Sequence, residues 1–102
     1  MINEKKVSDL LDQLDLHCDE RSRYIDLASE IGELGKEILK ATHYGKVSFE
    51  NNGRIKEEYG DCLFSLLALA YEMDIDPEDA LNTVLDKYEK RFEKSGQIGS
   101  ET

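Results

Sequence analysis

Two runs in this chain, Glu30-Ile31-Gly32-Glu33 and Glu58-Tyr59-Gly60-Asp61, each read acid, apolar, glycine, acid. Residues three apart share one helical face, with Cβ atoms roughly 5–6 Å apart. Each run therefore offers a carboxylate pair, and two facing pairs would make a cage of hard oxygen donors. Carboxylates that close repel one another and hold protons unless a cation sits among them. Mg²⁺ suits such a cage, because it prefers oxygen ligands, keeps several waters and bridges to phosphates. Zinc would ask for His or Cys, and neither His17 nor His43 has a suitable partner nearby in sequence. The glycines add to the pattern. Each costs about 1 kcal/mol in a helix interior relative to alanine, so matched positions predict a packing or ligand-approach reason.

Other acids stand three apart, at Asp9/Asp12, Asp12/Asp15, Asp76/Asp79 and Asp86/Glu89. These read as solvated faces. The two chosen pairs differ by sharing the glycine, flanking apolar seams and lying on helices that should pack together. Lys36 and Arg54 stand at helical spacing to neutralise Glu33 and Glu58.

The elements that must position these acids are helices. The chain has one proline and no strand-like alternation, and helical periodicity dominates. A first helix is predicted from Val7 to about Leu16, with Val7, Leu10, Leu11 and Leu14 on one side. A second runs from Glu20 to Ala41 on a seam of Tyr24, Leu27, Ile31, Leu34 and Ile38. Thr42 to Gly53, with His43, Gly45, Asn51 and Asn52, reads as a loop. A third helix should run from near Gly53 to near Met73, with Ile55, Tyr59, Cys62, Leu66, Leu69 and Met73 in register. Asp76-Pro77, an N-cap followed by a first-turn proline, opens a fourth that carries Ala80, Leu81, Val84, Leu85, Tyr88 and Phe92.

The expected fold is an all-α four-helix bundle: one domain over residues 1–94, with 95–102 a flexible C-terminal tail. Helices two and three should pack antiparallel. A rise of 1.5 Å per residue then sets Glu33 and Glu58 within about a turn of the same height, with Glu30 and Asp61 on the next turn. The third helix is apolar almost all round from Cys62 to Tyr71 and needs cover on every side. That need predicts a homodimer or homotetramer.

Composition narrows the function. A 102-residue chain makes one domain. Its formal net charge of −10, from 23 acidic against 13 basic residues, argues against a nucleic-acid partner held by a basic face. Cys18 and Cys62 form no C-x-x-C pair, and Cys62 opens an apolar run as a reduced core thiol. Lys5 and Lys6 lead into Val7-Ser8-Asp9 rather than a hydrophobic stretch, so no signal peptide is read. The longest apolar run, Cys62 to Tyr71, is too short to span a membrane. A soluble cytoplasmic protein with no membrane partner is expected.

With both halves in view, the chain resembles the MazG-like all-α nucleoside triphosphate pyrophosphohydrolases. That family's pattern is E-E-x-x-E on one helix and E-x-x-D on the next. Leu27-Ala28-Ser29-Glu30-Ile31-Gly32-Glu33-Leu34 resembles the first half, and Glu57-Glu58-Tyr59-Gly60-Asp61-Cys62-Leu63-Phe64 the second. Lys87-Tyr88 and Arg91-Phe92 resemble the lysine and arginine often found on the last helix. The likeness covers Tyr24 to Phe92, and it is specific only as a combined pattern.

The resemblance implies a nucleoside triphosphate substrate, (d)NTP, cleaved to the monophosphate and pyrophosphate with Mg²⁺ as cofactor. It implies metal ligation by Glu30, Glu33, Glu58 and Asp61, a proton-accepting role for Glu30 or Glu33, and phosphate contacts from Lys87 and Arg91. At Ser29 the chain departs from the pattern, which has an acid there. The departure bears on a further Mg²⁺ ligand or on the orientation of the attacking water. It leaves a second reading open: a catalytically weak nucleotide-binding or adaptor protein that retains the acidic cage. His43, Tyr44, Phe49, Asn51 and Asn52 could read a base by stacking and amide hydrogen bonds, or anchor the loop and make its turns.

Overall fold

The computed structural model describes residues 2–96. Four helices follow in order: α1 (Glu4–Gln13), α2 (Glu20–Ala41), α3 (Gly53–Glu72) and α4 (Pro77–Ser95). Side-chain caps start each of them. The Asn3 carboxamide accepts from the Lys6 amide at 3.0 Å, and Asp19 accepts from Ser22 at 2.7 Å. Asn52 accepts from Ile55 at 3.0 Å, and Asp76 accepts from Glu78 and Asp79 ahead of a first-turn proline. Each cap satisfies amides that the first helical turn leaves without partners. At the other end, Gly96 takes the left-handed conformation (φ 75°) that closes α4.

α1 is the element whose predicted bounds change. It starts a turn before Val7 because Asn3 caps it, and it ends at Gln13 rather than Leu16. There Asp15 turns the chain with φ 52°, a left-handed conformation that Asp tolerates better than most residues. α4 keeps Ser95 within the helix, so of the tail expected from 95 to 102, residues 97–102 lie outside the described residues.

α2 packs along α3, and α1 packs on α3, whereas α4 makes only slight contact with the rest of the chain. Two cross-helix bonds fix the direction of the hairpin. Asp26 meets Ser65, and Glu37, eleven residues on, meets Arg54, eleven residues back. The helices are antiparallel, as expected. The core is small: Leu11, Leu27, Ile55, Ala68 and Leu69 are buried.

Much of the predicted apolar seam is not part of this core. Leu27 and Leu69 are buried as expected, but Tyr24, Ile31 and Ile38 on α2 and Tyr59, Leu66 and Met73 on α3 are exposed. Heptad spacing puts each trio in one row along its helix. On α4, Leu81, Leu85, Tyr88 and Phe92 are exposed too. The chain exposes 7969 Å², where a compact monomer of its mass would expose about 5,900 Å². Its radius of gyration is 16.8 Å, against about 13 Å for a compact domain of this length.

One polar cluster ties α1 to the end of α3. The His17 ring sits between two carboxylates, with Nδ1 2.8 Å from Glu72 and Nε2 2.6 Å from Asp12. It stacks on Tyr71 at 5.1 Å, and the Tyr71 hydroxyl donates to Asp12. Only the imidazolium can donate to both acids, and the hydrogen bond to Glu72, then that to Asp12, raise the His17 pKa above its usual 6.5. Folding therefore favours the proton. The gain is whole below about pH 6.5 and is lost as pH rises through the raised value. Thermal midpoints measured across this range should fall with rising pH. In His17→Phe, which keeps a ring against Tyr71, that component of the fall should vanish.

Candidate metal centre

The α2–α3 hairpin carries a polar seam of four rungs. Each step of three or four residues up α2 is matched by the same step down α3: Asp26 with Ser65, Glu30 with Asp61, Glu33 with Glu58, Glu37 with Arg54. The outer rungs are complementary. Ser65 Oγ donates to Asp26 Oδ2 at 2.9 Å, and Arg54 Nη2 donates to Glu37 Oε1 at 3.2 Å. The two inner rungs set acid against acid, and among the described residues no Lys or Arg forms an ion pair with any of the four.

Glu30, Glu58 and Asp61 each bring a carboxylate oxygen within 4.8 Å of the other two. Glu30 and Glu58 are half-buried, and Asp61 is exposed. Glu33 is exposed and stands outside this trio, but its charge still reaches Glu30. Desolvation raises the Glu30 pKa, and the charges of Asp61, Asp26, Glu58 and Glu33 add to it. The Cys62 thiol is pushed up as well, by burial first and then by Glu30, Glu58 and Asp61. Converging hard donors with unbalanced negative charge are the chemistry that fits a Mg²⁺-like dication.

Three of the four predicted acids thus come together directly, and the fourth flanks them. Lys87 and Arg91 lie on α4, the helix that makes no more than slight contact with any other helix. Lys87 Nζ rests 5.4 Å from the centre of the Tyr88 ring. Ser29 is exposed. Arg54 was expected to neutralise Glu58 along its own helix, but its hydrogen bond goes across to Glu37, and the Glu58 charge acts on it only more weakly.

No atom lies within 4 Å of where a Cβ would sit on Gly32 or Gly60, so packing within the chain does not explain these glycines. In the loop, Asn52 caps α3 and Asn51 accepts from the Asn52 amide, whereas Tyr44 and Phe49 are exposed rather than anchored to the core. The outer rungs went unread in the sequence, although continuing the acid spacing by four residues in each direction reaches them.

The model of the MazG nucleotide pyrophosphohydrolase domain family matches residues 19–95. The chain belongs to the MazG family. The match begins at the N-cap of α2 and ends with α4, so it takes in all four acids and leaves α1 outside. The MazG chain is 38% identical over 68 residues to the protein named "Uncharacterized protein YpjD" of Bacillus subtilis (strain 168), covering 64% of this chain and 60% of that protein. It is 39% identical over 44 residues to "Nucleoside triphosphate pyrophosphohydrolase/pyrophosphatase MazG" of Thermotoga maritima, covering 43% of this chain and 17% of that protein. No solved structure matches it.

Proposed function

We propose that this MazG chain is a Mg²⁺-dependent nucleoside triphosphate pyrophosphohydrolase, with residues 1–94 acting as one domain. The convergence of Glu30, Glu58 and Asp61 between two complementary rungs carries the reading. These three would hold the ion, with Glu33 joining from the adjacent turn. Bound Mg²⁺ supplies charge neutralisation on the phosphates and a water of lowered pKa.

The chain's residues then act as follows. Glu30 or Glu33 accepts a proton from the attacking water as its oxygen bonds to phosphorus. The bridging bond between the α- and β-phosphates breaks, and its electron pair leaves with pyrophosphate. Lys87 and Arg91 counter the charge on that leaving group. The balance is triphosphate plus water to monophosphate, pyrophosphate and a proton.

We place the working form as a homodimer or homotetramer, which covers the exposed apolar rows and brings α4 of one copy against another. Among the described residues no helix is long and apolar enough to cross a membrane, and the proposed setting is the cytoplasm. The absence of an acid at Ser29 favours one alternative, a nucleotide-binding or adaptor protein of weak turnover.

Two measurements test this reading. Thermal unfolding with and without Mg²⁺ should give a rise of roughly 10–20 °C at a hundredfold excess over Kd. Product analysis on ribo- and deoxyribonucleoside triphosphates should give monophosphate and pyrophosphate only with Mg²⁺. Binding without turnover supports the alternative, and neither binding nor turnover overturns both.

A further inference from the structure

We infer that Arg54 and Lys40, pinned by Glu37, form an anion subsite for the distal phosphates of the nucleotide, one helical turn from the acid cluster. The inference rests on the pyrophosphohydrolase reading and gives the substrate a direction along the hairpin. Glu37 is only 8% exposed, yet its two partners are open to solvent: the Arg54 and Lys40 side chains are 72% and 52% exposed. A buried carboxylate holding two accessible cations orders them without covering them. Arg54 lies 3.2 Å and Lys40 3.6 Å from the same Glu37 oxygen. One carboxylate cannot saturate a guanidinium with five N–H donors and an ammonium with three.

The cations line an open cleft of about 570 Å³ between the last turn of α2 and the first turn of α3, together with Asn52 and Glu57. Arg54 precedes Glu58 by four residues, about 6 Å along the helix. That step is on the scale of a polyphosphate chain reaching from an ion at the acids. Among the described residues, the arginine at the opposite end of the seam is not open in this way. There Arg23 is buried, donates to the Leu16 carbonyl at 2.7 Å and stands 3.5 Å from Asp26, so its cation is closed to a ligand. A phosphate chain held at the acid cluster therefore runs toward the loop rather than toward Asp26.

Inorganic pyrophosphate is the probe, used with the full chain and Mg²⁺. Arg54→Gln and Lys40→Gln should each weaken its binding, measured by calorimetry, roughly ten- to a hundredfold, and raise KM for the triphosphate more than they lower kcat. The stabilisation by Mg²⁺ alone should stay unchanged in both. Glu37→Gln separates anion binding from a structural tie: it should lower the thermal midpoint yet bind pyrophosphate at least as tightly as wild type. Pyrophosphate affinity unchanged in both cation variants overturns the subsite, as does equal loss in all three. If wild type turns over no triphosphate, the enzymatic reading fails by itself, and pyrophosphate titration still decides the subsite. A wild-type chain that binds no pyrophosphate overturns it.

Discussion

Asp61→Asn is expected to lower kcat/KM by at least about 10²-fold, beyond the 10- to 100-fold typical of losing a partner that only orients a metal ligand. The substitution keeps the size of the side chain and removes one of the three charges that converge within 4.8 Å. In the metal-free chain those charges oppose one another. The raised Glu30 pKa means that its contribution to stability is whole below about pH 4.5 and is lost as pH rises through the raised value. Removing the Asp61 charge relieves that repulsion. The variant should therefore melt no lower than wild type without Mg²⁺, while losing most of the rise that Mg²⁺ produces. Opposite effects on metal-free stability and on activity separate ligand loss from misfolding, and far-UV circular dichroism should show helicity unchanged. Glu33 is exposed and outside the trio, so Glu33→Gln measures what the fourth acid adds. Full activity in both variants would sink the acid site.

Leu66→Glu combined with Leu85→Glu should convert the assembled protein to a monomer in sedimentation velocity. In an isolated chain these are exposed positions, 51% and 53% accessible, where substitutions usually change stability by less than about 0.5 kcal/mol. In an assembly they would bury like charges against apolar surface, at a cost of several kcal/mol each. The area argues for the second case. The excess of roughly 2,000 Å² over a compact monomer would, if buried by each of two copies, make an interface within the 2,000–5,000 Å² range of obligate homodimers. α4 gains most from such cover, because its Leu81, Leu85 and Phe92 are each more than half exposed. Sedimentation of the wild-type chain at its monomer mass of 11.7 kDa would overturn the assembly.

The same area accounts for where sequence and structure part. Tyr24 and Ile31 fall on the predicted apolar seam of α2, and Tyr59 and Leu66 on that of α3, because periodicity reports that a residue is apolar and which row it occupies. It does not report which neighbour covers the row. In the folded chain Leu27 is the buried apolar side chain of α2 and Ile55, Ala68 and Leu69 are those of α3, and the Asp26–Ser65 and Glu37–Arg54 hydrogen bonds also bridge the two helices. The displaced rows are the surface that the proposed second copy would cover.

Local chemistry decided what local chemistry can decide. The caps at Asp19, Asn52 and Asp76 set the starts of α2, α3 and α4, and the acid spacing put Glu30 one turn from Glu33 and Glu58 one turn from Asp61, since each of these depends on residues within about one helical turn. Tertiary packing decided the rest. It brought Glu58 into a trio with Glu30 and Asp61, left Glu33 at the edge, sent Arg54 to a buried Glu37 and folded His17 between Asp12 and Glu72. These partners lie far apart in sequence, and which charges meet depends on the depth and register at which two helices dock. No spacing rule within one helix contains that information.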